Sequence, residues 1–173
     1  LRVASKALVN VVRGMPLLML IFWAYFVVPK LTGQVVSGFW TLIFALVVYE
    51  SAYLSEVIRS GIEAVPRGQI EASRSLGVGY WTTMRKVVLP QALFNVLPSM
   101  TSQFVSTIKE TSLGYVISVN ELTFAANQVN NLVLTQPLQV FGILAIIYFL
   151  VCFSLSRGLS WLDLRIRRSR AMA

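Results

Sequence analysis

Long apolar runs alternate with short basic clusters along this chain, and the runs have the length and periodicity of membrane helices. Met15 to Val28 is continuously apolar apart from Pro16, with Trp23 and Tyr25 toward its far end. Alone it is shorter than the ~20 residues that cross a bilayer. Adding Ala7 to Val12, with Arg13 facing protein or snorkelling, supplies the length, and Pro16 then kinks the helix or starts its second half. Pro29 to Ser37 is a polar, glycine-containing loop. Gly38 to Ile58 reads as a second span, apolar through Val48 and then carrying Glu50, Ser51, Ser55 and Glu56. Pro90 to Ile108 reads as a third, with Asn95, Ser102, Gln103, Ser106 and Thr107 along it; a span this polar packs inside a bundle. Lys109 to Pro137 is a mostly neutral connection, whose apolar piece Leu113 to Val119 is too short to cross and dips or lies at the interface. Leu138 to Leu155 is the fourth and most apolar span. The pattern predicts an all-α, polytopic membrane bundle of about four spans.

Between the second and third spans the pattern changes. Arg59 to Lys86 holds Arg59, Arg67, Arg74, Arg85 and Lys86 and no lipid-spanning run. Pro66 and Gly68 break one short helix, a second runs from about Gln69 to Leu76, and a third from Tyr80 to Leu89. Gly77 and Gly79 mark the corner, as glycine does past a helix C-terminus. Ala72 and Leu76 share one face, and Tyr80, Met84 and Val88 share another. The two amphipathic pieces predict a compact knob over 59–89.

Charge placement orients the bundle. The basic clusters put Arg2 to Arg13, Arg59 to Lys86 and the C-terminal Arg157, Arg165, Arg167, Arg168 and Arg170 on the cytoplasmic side. The Lys30 loop and Lys109 to Pro137 then lie outside. The chain has 173 residues, 56% of them hydrophobic and 13% charged, with mean hydropathy +0.70 and net charge +8. Average soluble proteins are about 25% charged, so the basic excess reads as topology signal and not as a nucleic-acid surface. Anionic lipid is a further partner for the C-terminal arginines. Histidine is absent and Cys152 is the single cysteine. A disulfide within the chain and a Cys/His zinc site are thereby excluded. A Ser-His-Asp arrangement is excluded too, and no GxxxxGK[ST] loop offers ATP a phosphate cradle. No catalytic and no metal residues are expected. The chain starts at Leu1 without an initiator Met, already in helical pattern, and reads as a single membrane domain, 1–173, lacking upstream sequence that would hold a fifth span.

Polar residues inside the spans are the candidate pathway. Glu50 is costly in lipid and faces a bundle interior or a watery cavity, either lining a pathway or accepting an interhelical bond. Tyr49 beside it lines or packs. Lys109 and Glu110 form either an ion pair at a helix end, where snorkelling is cheap, or a contact with a substrate carboxylate. Ser102, Gln103 and Ser106 on the same span complete a polar pocket or bond to neighbouring helices.

The sequence also carries a family resemblance. Glu71-Ala72-Ser73, Gly77 and Val87-x-Leu89-Pro90 are similar to the EAA-x3-G-x9-I-x-LP signature of ABC importer permeases, with Ser73 and Val87 as the departures. Arg13-Gly14-Met15-Pro16-Leu17-Leu18 resembles the RGTPLL of polar amino-acid permeases. Ala52 to Glu56, Arg59-x-Gly61-Ile62, Gly68-Gln69 and Lys109-Glu110-Thr111-Ser112-Leu113 (the family's KDTSL) resemble that family too. Phe44 to Glu56 and the aromatic-rich outer helices resemble its glutamate/aspartate branch.

The resemblance implies a type I importer permease of the bacterial inner membrane that binds no ATP itself. ATP and Mg would sit on separate ATPase subunits. The other partners would be a second, same or homologous, permease and a periplasmic or lipid-anchored amino-acid-binding protein. The knob would be the coupling element: Gly77 would supply positive φ and close approach. Glu71 would sit near a helix start, where a carboxylate suits the dipole. Arg74 would make ionic contacts, and Ala72, Ser73, Leu89 and Pro90 would complete the coupling set. Glu50, Tyr49, Ser102, Gln103, Ser106, Lys109 and Glu110 would belong to the amino-acid pathway. An ATP-independent channel or secondary transporter for small polar solutes is the alternative.

Overall fold

The computed structural model describes residues 2–171, with side chains over 3–166. The side chains of Arg2, Arg167, Arg168 and Arg170, read above as topology signals, lie outside the described residues. The described chain is helical with no strand. Helix α1 is Arg2–Gly14. Helix α2, Leu17–Phe22, continues through a π-helical turn, Trp23–Val27, into α3, Val28–Thr32. Helix α4 is Gly38–Glu63 and α5 is Arg67–Ser75. Helix α6, Tyr80–Thr83, runs through a second π turn, Met84–Val88, into α7, Leu89–Glu110. A 3-10 helix, Thr111–Ile117, α8, Leu122–Val133, and α9, Pro137–Ala171, complete the chain.

Among the described residues, two helices are long and apolar enough to cross a membrane, Gly38–Glu63 and Pro137–Ile166. A third crossing exists only if Val3–Gly14 and Leu17–Thr32 count as one, and these meet at 101°. Of the two expectations at Pro16, a kink or the start of the second half, the structure shows the second: α2 begins at Leu17 directly after it. Pro16 has extended backbone (φ −61°, ψ 133°) and turns the chain through nearly a right angle. Helix α7 has 22 residues, enough for a crossing, but is too polar to qualify by composition. It packs between α4 and α9, which cover part of its polar surface.

Both π turns stand in the same relation to a proline. Trp23–Val27 and Met84–Val88 each end two residues before one, Pro29 and Pro90. Proline has no N–H to give the preceding turn. The chain widens just before it: Val28 N–H bonds Trp23 C=O and Leu89 N–H bonds Met84 C=O, five residues back. The helix survives the proline through a π bulge instead of breaking.

The core has two centres. Leu17, Ile21, Leu42, Ala45, Leu46, Ile117 and Val119 join α2, α4 and the 3-10 segment at one end of the bundle. The apolar piece near Leu113 thus folds back onto α4 as a buried prop. At the other end Val65, Val88 and Ala92, with Ile62, Ile70 and Met84, seat the knob on the bundle. Helices α4 and α7 cross in tight contact there: a Cβ on Gly61 would lie 2.1 Å from Val96 Cγ1 and 3.1 Å from the Ala92 carbonyl oxygen. The Asn95 amide nitrogen donates to the Gly61 carbonyl at 3.3 Å across the same crossing.

Candidate functional site: the glycine corner and the polar seam

The knob is built around a Schellman turn. The Val78 N–H bonds the Ser73 carbonyl at 3.2 Å and the Gly77 N–H bonds the Arg74 carbonyl at 2.9 Å. That closure needs a left-handed residue, and Gly77 supplies it with φ +75°. The expected close backbone approach is not found within this chain. A Cβ on Gly77 would meet nothing within 4 Å, so only its torsion demands glycine here. Gly79, extended at φ −66° and ψ 157°, then starts α6.

Ser73, where the signature has alanine, is buried and meets buried Thr83 hydroxyl to hydroxyl at 2.8 Å. Thr83 was not singled out in the sequence. It lies ten positions on, across the corner, and no local pattern marks it. Outside this latch the knob shows Glu71, Ala72, Arg74, Arg85 and Lys86 to its surroundings. Leu76 (82% exposed), Trp81 (80%) and Tyr80 (56%) form an apolar patch on the same corner.

Two knob expectations are corrected. Glu71 is not near a helix start: α5 begins at Arg67 and has no acid in its first turn, so the dipole offers it nothing. The third knob helix does not end at Leu89. It is continuous with the bundle from Tyr80 to Glu110, and Leu89 and Pro90 mark where the π turn returns to α-helix. The knob and α7 form one rod.

The pathway residues divide between two sides of α7. On the α4 side, Gln103 Nε2 donates to Glu50 Oε2 at 2.9 Å. Glu110 lies beside Glu50. Glu50 Oε1 and Glu110 Oε2 are buried without a hydrogen-bond partner. Tyr49 OH donates to Tyr53 OH at 3.2 Å, and Tyr53 OH donates to the Arg13 carbonyl at 3.4 Å. The Arg13 guanidinium stands 5.1 Å from the Tyr53 ring centre and 3.9 Å from Glu56, while Arg59 pairs with Glu56 and Glu63. A polar seam therefore runs along α4 from the bundle middle to the knob end. Tyr53, Glu56 and Arg13 were seen as motif members or topology anchors, not as parts of one seam.

Ser102, Ser106 and Lys109 lie about 100° further round α7. They line a separate groove of about 580 Å³ against Ser156, Ser160 and Asp163 of α9. Of the three residues read as one polar pocket or as helix-helix contacts, Gln103 meets Glu50 of α4, while Ser102 and Ser106 line the groove against α9. Ser102 donates to the Pro98 carbonyl of its own helix at 3.2 Å, not across helices.

Beyond the seam, Glu121 caps α8. Its carboxylate accepts from Thr123 N–H at 2.7 Å, Phe124 N–H at 2.6 Å and Tyr148 OH at 3.3 Å. The mostly neutral connection from Lys109 to Pro137 contains this helix, pinned to α9.

Residues 1–168 match the family model described as "Binding-protein-dependent transport system inner membrane component". The chain belongs to this family. Among relatives of this inner-membrane component, the "Probable glutamine ABC transporter permease protein GlnP" of Bacillus subtilis (strain 168) is 40% identical over 160 residues, covering 91% of this chain and 73% of the relative. The "Glutamate/aspartate import permease protein GltK" of Escherichia coli O6:H1 is 34% identical over 168 residues, covering 93% and 75%. A solved structure, "Crystal structure of an amino acid ABC transporter with histidines", aligns with TM-score 0.89 and 34% identity over 94% of this chain and 75% of that one. The methionine transporter MetNI, inward facing, shares the fold with TM-score 0.68 at 24% identity. The all-α importer-permease fold expected from the sequence is therefore the fold of this chain.

Proposed function

We propose that this chain is the membrane-spanning permease subunit of an ATP-driven importer of polar amino acids. The knob docks a separate ATPase subunit that carries ATP and Mg. A second permease, alike or homologous, completes the pathway, and a binding protein outside delivers the substrate. The knob and the C-terminus face the cytoplasm of a bacterial inner membrane. The relatives' glutamine and glutamate/aspartate names support the amino-acid class.

One observation carries the reading: the corner at Gly77 leads directly into a helix that is continuous from Tyr80 to Glu110. A push on Tyr80 or Trp81 travels toward Gln103 and Glu110 along one continuous helix, through the π turn at Met84–Val88 and past Pro98. Closure of ATPase subunits under the knob would rock α7 against α4, the kind of rigid-body movement that alternating access requires.

The test is the reconstituted complex carrying Glu71→Lys with Gly77→Trp. Loss of substrate-coupled ATPase activity, or of ATPase association, is expected. Wild-type coupled turnover in that variant would rule out the docking role.

A further inference from the structure

Helix α1 packs inward through Val12, which is buried, and keeps a second apolar stripe on its outer side. Ser5, Lys6, Val9 and Asn10 face Ser55, Glu56, Arg59 and Glu63 of α4 across a cavity of about 670 Å³. Leu8 (67% exposed) and Val11 (58%) lie on the opposite side of the helix and look outward. A helix lying on a protein in water turns its apolar residues to the core and leaves its outer face polar. An apolar stripe left on the outer face fits an acyl environment on that side.

The angle says where that environment is. Val3–Gly14 meets Leu17–Thr32 at 101°. If Leu17–Thr32 stands along the bilayer normal, α1 is forced close to the membrane plane. Its depth is bounded by charge. Lys6 faces the cavity beside Glu56, Arg59 and Glu63, and Arg13 is paired with Glu56. Such a cluster is costly in hydrocarbon and belongs at headgroup level. The outward stripe also runs on, past the hinge at Gly14 to Pro16, into α2 and its π turn, where Met19, Trp23 and Phe26 are exposed.

We propose that α1 is an interfacial helix. Its Leu8–Val11 face is seated in the acyl chains of the bilayer leaflet on the knob side, and its polar face walls a water-filled cavity against the end of α4. The bilayer is the partner of that face, and α1 is a float that holds the Arg13 end of the polar seam at a fixed height. The proposal rests on the permease reading only for which leaflet is the cytoplasmic one.

The test uses the whole importer in phosphatidylethanolamine/phosphatidylglycerol vesicles, in a Cys152→Ser background. Single cysteines Leu8→Cys, Val11→Cys, Ser5→Cys and Asn10→Cys are spin-labelled, and collision with oxygen, which concentrates in lipid, is compared with collision with a water-soluble nickel chelate. A several-fold higher oxygen-to-nickel ratio at 8 and 11 than at 5 and 10 is expected. Labels at 8 and 11 open to nickel would place that face in water and overturn the proposal. Labels there shielded from both reagents would show a protein cover, an upstream segment or a second copy, and overturn it equally. Substrate-coupled ATPase activity is read on the same vesicles, so a failed lipid contact with intact coupling sinks this inference alone.

Discussion

Ser73 and Thr83 lock the two arms of the knob together, hydroxyl to hydroxyl at 2.8 Å, with both side chains buried. The bond joins α5 to the rod that becomes α7. Removing one partner strands the other: a buried hydroxyl left unsatisfied costs about 1–3 kcal/mol, while replacing both by apolar groups of similar shape is nearly neutral. Ser73→Ala and Thr83→Val should each lower the thermal stability of the purified chain. The double variant should be more stable than the sum of the two losses predicts, a coupling of about 0.5–3 kcal/mol in a double-mutant cycle. Simple additivity would show that the pair does not act as a unit.

Gly77 separates two reasons for a glycine. Its φ of +75° disfavours a side chain through the backbone alone, and no atom of this chain would meet a Cβ there. Asparagine tolerates the left-handed region; a β-branched residue pays about 1–2 kcal/mol or more. Gly77→Asn should therefore fold and assemble close to normally, and Gly77→Val should lose stability. If Gly77→Asn keeps its stability in isolation but loses ATPase association, the glycine is required for clearance against the partner. Equal behaviour of the isolated chain and the assembly would assign the requirement to torsion alone.

Much of this arrangement was legible and some was not, for reasons that lie in particular residues. The corner could be read because glycine after an amphipathic turn has few other uses. Gly38–Glu63 and the apolar part of α9 could be read because length and composition suffice for a span. The continuity of Tyr80 to Glu110 was hidden by Pro90, which in sequence signals a stop. The π turn that carries the helix through it depends on which carbonyls find donors, and that is not a property of composition. The right angle at Pro16 was hidden for the converse reason: proline inside an apolar run is compatible with a mild kink or a full turn. Helix α8 escaped notice because Glu121 is an uncommon N-cap, made effective by Tyr148 from 27 positions away. The division of α7 into two lined faces was implicit in helical geometry. Gln103 and Ser102 are neighbours in sequence but about 100° apart around the axis.

That capping arrangement makes a separate prediction. Glu121 holds two N–H groups of the first turn of α8 and the hydroxyl of Tyr148. Glu121→Ala removes the cap, at about 0.5–2 kcal/mol, and releases Tyr148. Tyr148→Phe removes only the pin, at about 0.5–1.5 kcal/mol if water does not replace it. Hydrogen exchange over residues 120–136 should rise more in Glu121→Ala than in Tyr148→Phe, with little change in the knob. A uniform rise across the chain would mean that α8 is not an independently opening unit.

The α4–α7 seam gives the last prediction. Gln103 donates to one Glu50 oxygen at 2.9 Å, while the other Glu50 oxygen and one of Glu110 are buried and unpaired. Gln103→Leu strips that donor from the Glu50 carboxyl and leaves its oxygen buried without it, a loss of about 1–3 kcal/mol. Gln103→Leu should therefore destabilise the chain and depress uptake together. Glu50→Gln keeps a polar side chain of the same shape opposite Gln103 and removes the acid, so stability should hold. Uptake in Glu50→Gln then reports on the carboxyl group itself. A fall in substrate-dependent uptake at normal assembly would place Glu50 on the route of the substrate. Unchanged uptake would leave the seam as a structural contact and shift attention to the Ser102, Ser106 and Lys109 groove, where Lys109→Ala should then lower uptake without affecting assembly.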